Sequence, residues 1–255
     1  MKRLIVAADD FGLTDGVTAG ILEAMAAGVV SCTSAMTAVP GAAERAGAAI
    51  KPALEGRIGL HLQRTPGEPC AGRSGVPSLC DGSGRFPARA EGTAWRDADI
   101  ACEWLAQVER LRAAGIEPAH LDSHHHVHQL PAATRPYASL AATLGVAARG
   151  GPAPVREALS AAGVVHADWF ETSWFDGVLT VDRFLAIVRR AFAVVRGEGT
   201  VELMCHPGRT DRALEQVSRY TSQRDAELAV LCAPDLRRRL EDMDITLVPA
   251  SALAR

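Results

Sequence analysis

Aromatic side chains make up only 5% of this 255-residue chain, and neither sign of charge dominates it. With a formal net charge of −3 there is no basic face to read as a nucleic-acid surface, and the 27 basic residues are scattered. The densest basic run, Arg237-Arg238-Arg239, falls inside an amphipathic segment and reads as a solvated helix face. No stretch approaches the roughly 18 uninterrupted apolar residues that a membrane span requires. The apolar run at residues 4–8 is too short for a signal sequence and ends in Asp9 and Asp10 rather than in a cleavage site. Six cysteines (Cys32, Cys70, Cys80, Cys102, Cys205, Cys232) form no C-x-x-C pair and no regular framework. These absences imply a cytoplasmic protein with free thiols. Cys70 and Cys80 share a loop, but a reducing compartment argues against their pairing.

What remains is a chain that is 48% hydrophobic and rich in Ala, Gly and Val, the composition of a well-buried core. Short β-branched runs alternate with longer helical patterns, the signature of βαβ units on a parallel sheet. Strands are expected at 4–8, within 29–39, at 57–62, 119–123, 145–148, around 170–173, at 200–205 and at 245–248. Helices are expected at 17–27, after Pro40, at 95–114, from Pro131, at 181–195 and at 234–241. About eight strand–helix units in one chain of this length predict an α/β fold, a single-domain deformed (β/α) TIM-like barrel, since such barrels take about 250 residues. An open doubly wound sheet is the alternative. Residues 63–94, rich in Gly, Pro, Ser and Arg, break the rhythm. A connection of that length leaving the strand that carries His61 reads as an active-site cover.

The chemistry-bearing residues share one structural position. Asp9-Asp10 ends the first strand, His61 the third, and His206 follows the strand at 200–205. The run Asp122-Ser123-His124-His125-His126-Val127-His128 follows the fourth. A barrel gathers all strand C-termini on one face, so these residues converge. Two adjacent acids could instead cap a helix, and one histidine at a strand end is commonly structural. Five potential ligands in seven residues, Asp122 and four histidines, point to metal, because neutral imidazole is the commonest protein metal ligand. Two imidazoles and one carboxylate leave positions open, as a catalytic site requires. An ion so held would acidify a water and polarise a carbonyl. The second acid of the pair could take the proton, and a histidine opposite, His206, could stabilise an oxyanion or protonate a leaving amine.

The segments Ala8-Asp9-Asp10-Phe11-Gly12-Leu13, Gly59-Leu60-His61, His120 through His128, and Leu203-Met204-Cys205-His206-Pro207-Gly208 resemble the YdjC-like carbohydrate deacetylases, a family that includes chitooligosaccharide (diacetylchitobiose) deacetylases and a hopanoid-biosynthesis-associated branch. The resemblance implies a deformed (β/α)-barrel and one divalent ion, Mg or Zn, on Asp10, His61 and His124. It also implies Asp9 as general base and His206 as acid or oxyanion stabiliser. Asp122 and His128 would orient ligands, and Arg149 would match a basic residue on the substrate side. Trp174, with Trp169 and Phe175, would face a sugar or pack the core. One departure is Thr18 in Gly16-Val17-Thr18-Ala19-Gly20-Ile21, where the family often carries Asn. The implied reaction removes an N-acetyl group from an amino sugar or chitooligosaccharide and releases acetate. The implied partner is a small carbohydrate, and the long loop leaves room for a homodimer. Two rivals stand beside this reading. Phosphoester hydrolysis or sugar isomerisation on the same barrel would draw on Arg64, Arg73, Arg85 and Arg89, and a non-catalytic sugar-binding regulator would need no spare acid.

Overall fold

In the computed structural model, which describes residues 1–88 and 95–254, eight parallel strands curve into an incomplete barrel. The strands are β1 (Lys2–Phe11), β2 (Cys32–Ala35), β3 (Ile58–Leu62), β4 (His120–Ser123), β5 (Ala147–Ala148), β6 (Trp169–Glu171), β7 (Gly199–Cys205) and β8 (Ile245–Leu247). The helices between them are α1 (Asp15–Ala27), α2 (Ala42–Ala48), α3 (Asp97–Ala113), α4 (Pro131–Leu144), α5 (Ala153–Ala161), α6 (Val181–Val194), α7 (Arg212–Val217), α8 (Ser222–Leu231) and α9 (Leu236–Glu241). The expected deformed TIM-like barrel is therefore the fold. The strand assignments hold within a residue or three, whereas α5, α7 and α8 have no counterpart in the sequence reading.

The order across the sheet is β5-β4-β3-β2-β1-β7-β6. β7 pairs with β1 from Lys2 to Ala8, while β8 and then β2 share the opposite edge of β1, at Lys2–Leu4 and from Ala7 onward. Where they part, Ser31 Oγ accepts the Val6 N–H at 3.0 Å, so the backbone between the two partners is not left unpaired. Among the described residues β5 and β6 do not pair, and the barrel stays open there. β5 is two residues long and β6 three, and at the gap Ala148 N–H bonds instead to the carbonyl of Val165, in the segment before β6.

Most of the core lies between sheet and helices. α3 shows why: Ile100, Trp104, Val108 and Leu111 recur at helical spacing and are all buried, with Asp97 and Asp99 in the first turn and Arg110 and Arg112 in the last. Trp104 meets Tyr137 of α4 edge-to-face, 6.3 Å between centroids; truncating such a side chain costs about 3–5 kcal/mol. α4 opens with Pro131 and closes on Gly145 at φ 67°, a left-handed cap suited to glycine. Thr18 donates its hydroxyl to the Thr14 carbonyl within α1, so the departure from the family pattern is absorbed locally. Ile5, Ala7, Cys32 and Ala250 form a separate small cluster. All six cysteines are unpaired, and no helix of the described residues is long and apolar enough to cross a membrane.

The connection after β3 is tied to α3 by three buried polar residues spaced four apart. Asp99 accepts the Ser78 N–H, Glu103 those of Cys70 and Ala71, and Gln107 that of Gln63. Residues 89–94 of the expected cover, Arg89 among them, lie outside the described residues.

Candidate metal and catalytic site

Successive side chains of a strand point to opposite faces, yet Asp9 and Asp10 line the same hollow. The backbone explains this. The β1–β2 register shifts between Ala8 and Phe11, and Asp10 sits at φ 72°, a conformation L residues adopt at a cost. Gly12 follows at φ 88°, where an added Cβ would stand 2.4 Å from the Ala42 carbonyl oxygen. Arg45 holds the turn by donating to the Gly12 and Leu13 carbonyls.

The histidine run is likewise bent. It forms a short 3-10 turn in which His125 and His126 both sit at φ 52°, so that the His124 and His125 rings lie 3.8 Å apart while His126 turns away from them. His124 turns to Asp10, His125 meets Thr65 Oγ1 at 2.9 Å, and His126 lies edge-on to Phe170. His128 is fully buried, with Nδ1 at 2.5 Å from Ser123 Oγ, Nε2 at 3.1 Å from the Gly150 carbonyl, and its ring against Tyr137. Both nitrogens being spent, it anchors the turn and contacts neither His61 nor Asp10. Burial pushes its pKa down to about 3.

The three expected ligands do converge. Potential ligand atoms of Asp10, His61 and His124 all lie within 4.8 Å of one another. Asp10 Oδ1 is 3.4 Å from His61 Nε2 and 3.2 Å from His124 Nδ1. His61 presents Nε2 because its Nδ1–H donates to Asp122 Oδ1 at 2.7 Å, the carboxylate–imidazole pairing that fixes ligand tautomers. Ser34 Oγ–H donates to the other Asp122 oxygen. Although burial alone would lower it, the His61 pKa is lifted to about 10 by Asp122, Asp9 and Asp10. Burial likewise opposes ionisation of Asp10, but Arg224, whose Nη2 donates to Oδ2 at 2.6 Å, and the two imidazoles hold its carboxyl well below the usual range.

This donor set fits a divalent cation: an anion and two imidazoles around a point of strongly negative potential. A second grouping, Asp9, His61 and Asp122, fits poorly, because the Arg149 guanidinium already fills the space between its two acids. Arg149, buried at the end of β5, grips both Asp9 oxygens at 2.8 Å and reaches Asp122 at 2.9 Å and Glu202 at 2.6 Å. Against the cost of burial, Asp122, Asp9 and Glu202 raise its pKa well above normal. Arg149 thus belongs to the floor of the site.

His206 completes the wall, its Nε2 4.0 Å from Asp9 Oδ2. Burial lowers its pKa despite Asp10, Asp9 and Glu227, so the ring is neutral near pH 7. Its backbone N–H donates to Glu227 Oε2 at 2.7 Å. Trp174 is fully buried, packs on Phe184 and donates Nε1–H to the same oxygen, so it supports the wall from behind while Phe175 lines the hollow. The hollow measures about 510 Å³ and adjoins a second of about 390 Å³, with Asp10, His124, His125 and Arg224 on the border. A groove of about 560 Å³ between α3 and α4 contains none of these groups. Ser34, Glu202, Tyr220, Arg224 and Glu227 went unnoticed in the sequence, where nothing in their spacing sets them apart.

The sequence and the fold match known proteins over nearly the full chain. The chain belongs to the YdjC-like family, whose model, described as YdjC-like protein, matches residues 3–242. It is 39% identical to a carbohydrate deacetylase of Geobacillus stearothermophilus, covering 97% of this chain and 96% of that one. It is 35% identical to a chitooligosaccharide deacetylase of Yersinia enterocolitica, with 96% and 97% covered. A crystal structure from Enterococcus faecalis V583, described provisionally as a cellobiose-phosphate cleavage protein, superimposes with a TM-score of 0.88 at 31% identity, covering 100% and 99% of the two chains.

Proposed function

We propose that this protein is a metal-dependent deacetylase that hydrolyses the N-acetyl group of an amino sugar or chitooligosaccharide-like carbohydrate. The observation that carries the reading is the meeting of Asp10, His61 and His124 from three strand ends, with Asp9 on the same hollow and not among the three. Carbohydrate deacetylase relatives supply the substrate class. A divalent ion, Mg or Zn, held by these three residues would polarise the acetamide carbonyl and acidify a water.

Asp9 takes the proton from the attacking water. Arg149, donating to both Asp9 oxygens at 2.8 Å, keeps that carboxylate fixed at the edge of the hollow, where it can accept the proton. His206, neutral and beside Asp9, relays that proton to the amine nitrogen as the C–N bond breaks, leaving acetate and a free amine. Asp122 fixes the His61 tautomer throughout, and Pro66, Gly67, Arg85 and Ala88 of the connection after β3 line the adjoining hollow.

Phosphoester chemistry finds less support. Arg64 is buried under Trp95, Arg85 is paired with Glu68, and Arg149 and Arg224 are committed to carboxylates. The test is acetate release from N-acetylated chitooligosaccharides beside phosphate release from a phosphorylated sugar, with metal content measured. Asp9→Asn is expected to keep its metal and lose about 10²–10⁴-fold in kcat. Turnover of the phosphorylated sugar alone would overturn the reading.

A further inference from the structure

The turn after β6 points two adjacent aromatic residues in opposite directions. Trp174 is fully buried, while Phe175 is 42% exposed and lines the hollow that holds Asp9, Asp10 and His206. Nothing in the core requires an exposed phenyl ring at that point, and the turn that displays it is tightly built. Arg183 donates to the carbonyls of Ser173, Trp174 and Val178, Phe175 N–H bonds the Thr172 carbonyl, and Asp176 sits at φ 52°.

Phe175 does not stand alone. It stacks on Tyr220 with centroids 4.6 Å apart and planes 22° from parallel, and it meets His206 edge-on at 5.3 Å. Tyr220 is fixed in turn, since its hydroxyl donates to Glu227 Oε1 at 2.6 Å. Glu227, fully buried on α8, also accepts from Trp174 Nε1 and from the His206 backbone. One buried carboxylate therefore ties together both aromatic rings' segments and the histidine beside the catalytic acid. Such a pre-ordered apolar plate at the rim of a polar hollow loses little entropy on binding. It matches a ligand with one flat C–H face and polar edges.

We propose that Phe175, backed by Tyr220, is the subsite that binds the apolar face of a pyranose ring and sets the specificity for carbohydrate over simple acetamides, and that Glu227 is the positioning residue that holds this plate in register with His206. This rests on the deacetylase reading for the identity of the reacting group, although the plate's affinity for sugar is measurable without turnover.

The experiment uses Phe175→Ala, Phe175→Leu and Tyr220→Phe, with N-acetylated chitooligosaccharide and a small non-sugar acetyl substrate, and with calorimetric titration of the free amino sugar product. Phe175→Ala is expected to raise KM for the sugar and weaken sugar binding by about tenfold, with little change in kcat or in turnover of the non-sugar substrate. Phe175→Leu keeps the bulk but not the flat face and is expected to follow it. Tyr220→Phe keeps the ring, loses the Glu227 bond and is expected to show a smaller rise. Unchanged KM and sugar affinity in Phe175→Ala, with a wild type that releases acetate, would overturn the plate and leave the deacetylase reading standing. A wild type with no acetate release, whose sugar binding is still lost on Phe175→Ala, would do the reverse.

Discussion

Arg149→Met removes the single cation that three buried carboxylates share, and its cost can be worked out from the contacts. Asp9, Asp122 and Glu202 each lose a partner at 2.9 Å or less, and all three are nearly inaccessible to water. Breaking a buried ion pair by deleting one partner costs about 3–5 kcal/mol, because the remaining charge is left uncompensated. At about 2–4 °C per kcal/mol for a chain of this size, thermal unfolding should fall by roughly 6–20 °C at pH 7. The pH dependence gives a sharper check. In the wild type, Asp10 and Asp122 have depressed folded pKa values, so their stabilisation is present above the unfolded value near 4 and is lost as pH falls. In the variant, the orphaned carboxyls have raised folded pKa values and take up protons on folding. Acidification toward pH 5 therefore gives the variant a recovery that the depressed Asp10 and Asp122 of the wild type do not show, while the gain from His61 is common to both chains, and the gap narrows. Melting curves from pH 5 to 8 measure both. A loss below about 1 kcal/mol, or a gap that does not change with pH, would refute the idea that Arg149 neutralises the floor of the site.

Metal and proton should compete for His61, whose pKa near 10 in the metal-free protein leaves it protonated at neutral pH. Apparent affinity for a divalent ion should rise by about one log unit per pH unit below that value, with proton release seen as buffer-dependent heat. The same shift stabilises the metal-free protein fully below the unfolded pKa of about 6.5, a contribution lost as pH rises through about 10. Gly12→Ala should cost about 2 kcal/mol or more, since the new Cβ meets the Ala42 carbonyl at φ 88°; denaturant unfolding would report it, along with weaker metal retention as the Asp10 turn shifts. Glu103→Ala removes the acceptor for the Cys70 and Ala71 N–H groups and should free the loop from α3. Limited proteolysis within 63–88 should speed up while global stability falls by about 1–3 kcal/mol.

The barrel was legible because its strands are short, β-branched and evenly interleaved with amphipathic segments, and α3 and α6 declare themselves by apolar residues at helical spacing. α7 and α8 did not. In α8 the inward residues include Arg224 and Glu227, charged groups that a hydrophobic pattern assigns to solvent. The site divides the same way. Asp10, His61 and His124, the proposed ligands, could be singled out because residue types able to bind a metal are few and these three lie at strand ends. Arg224, Glu202 and Glu227 are common residues whose role comes only from where the fold brings them. The distinct fates of His124 and His128 were also beyond reach, because they depend on two consecutive left-handed residues that interrupt both the helical and the extended spacing.

The charges around the site explain why these hidden residues matter. Asp9, Asp10, Asp122 and Glu202 form one connected network with Arg149 and Arg224. Four carboxylates against two guanidiniums leave two negative charges, joined through His61, which bridges Asp10 and Asp122. The carboxylates of Asp122, Asp9 and Asp10 around His61 push its pKa up, so that proton and cation are drawn to the same place. One divalent cation at Asp10, His61 and His124 would neutralise the remainder and displace that proton. Each arginine also consumes carboxylate oxygens, Arg149 both of Asp9's and Arg224 one of Asp10's, so Asp10 has a single oxygen left for an ion and Asp9 is held back from it. The two adjacent acids thereby acquire different partners, and so different chemistry, from arginines 75 positions apart in the chain.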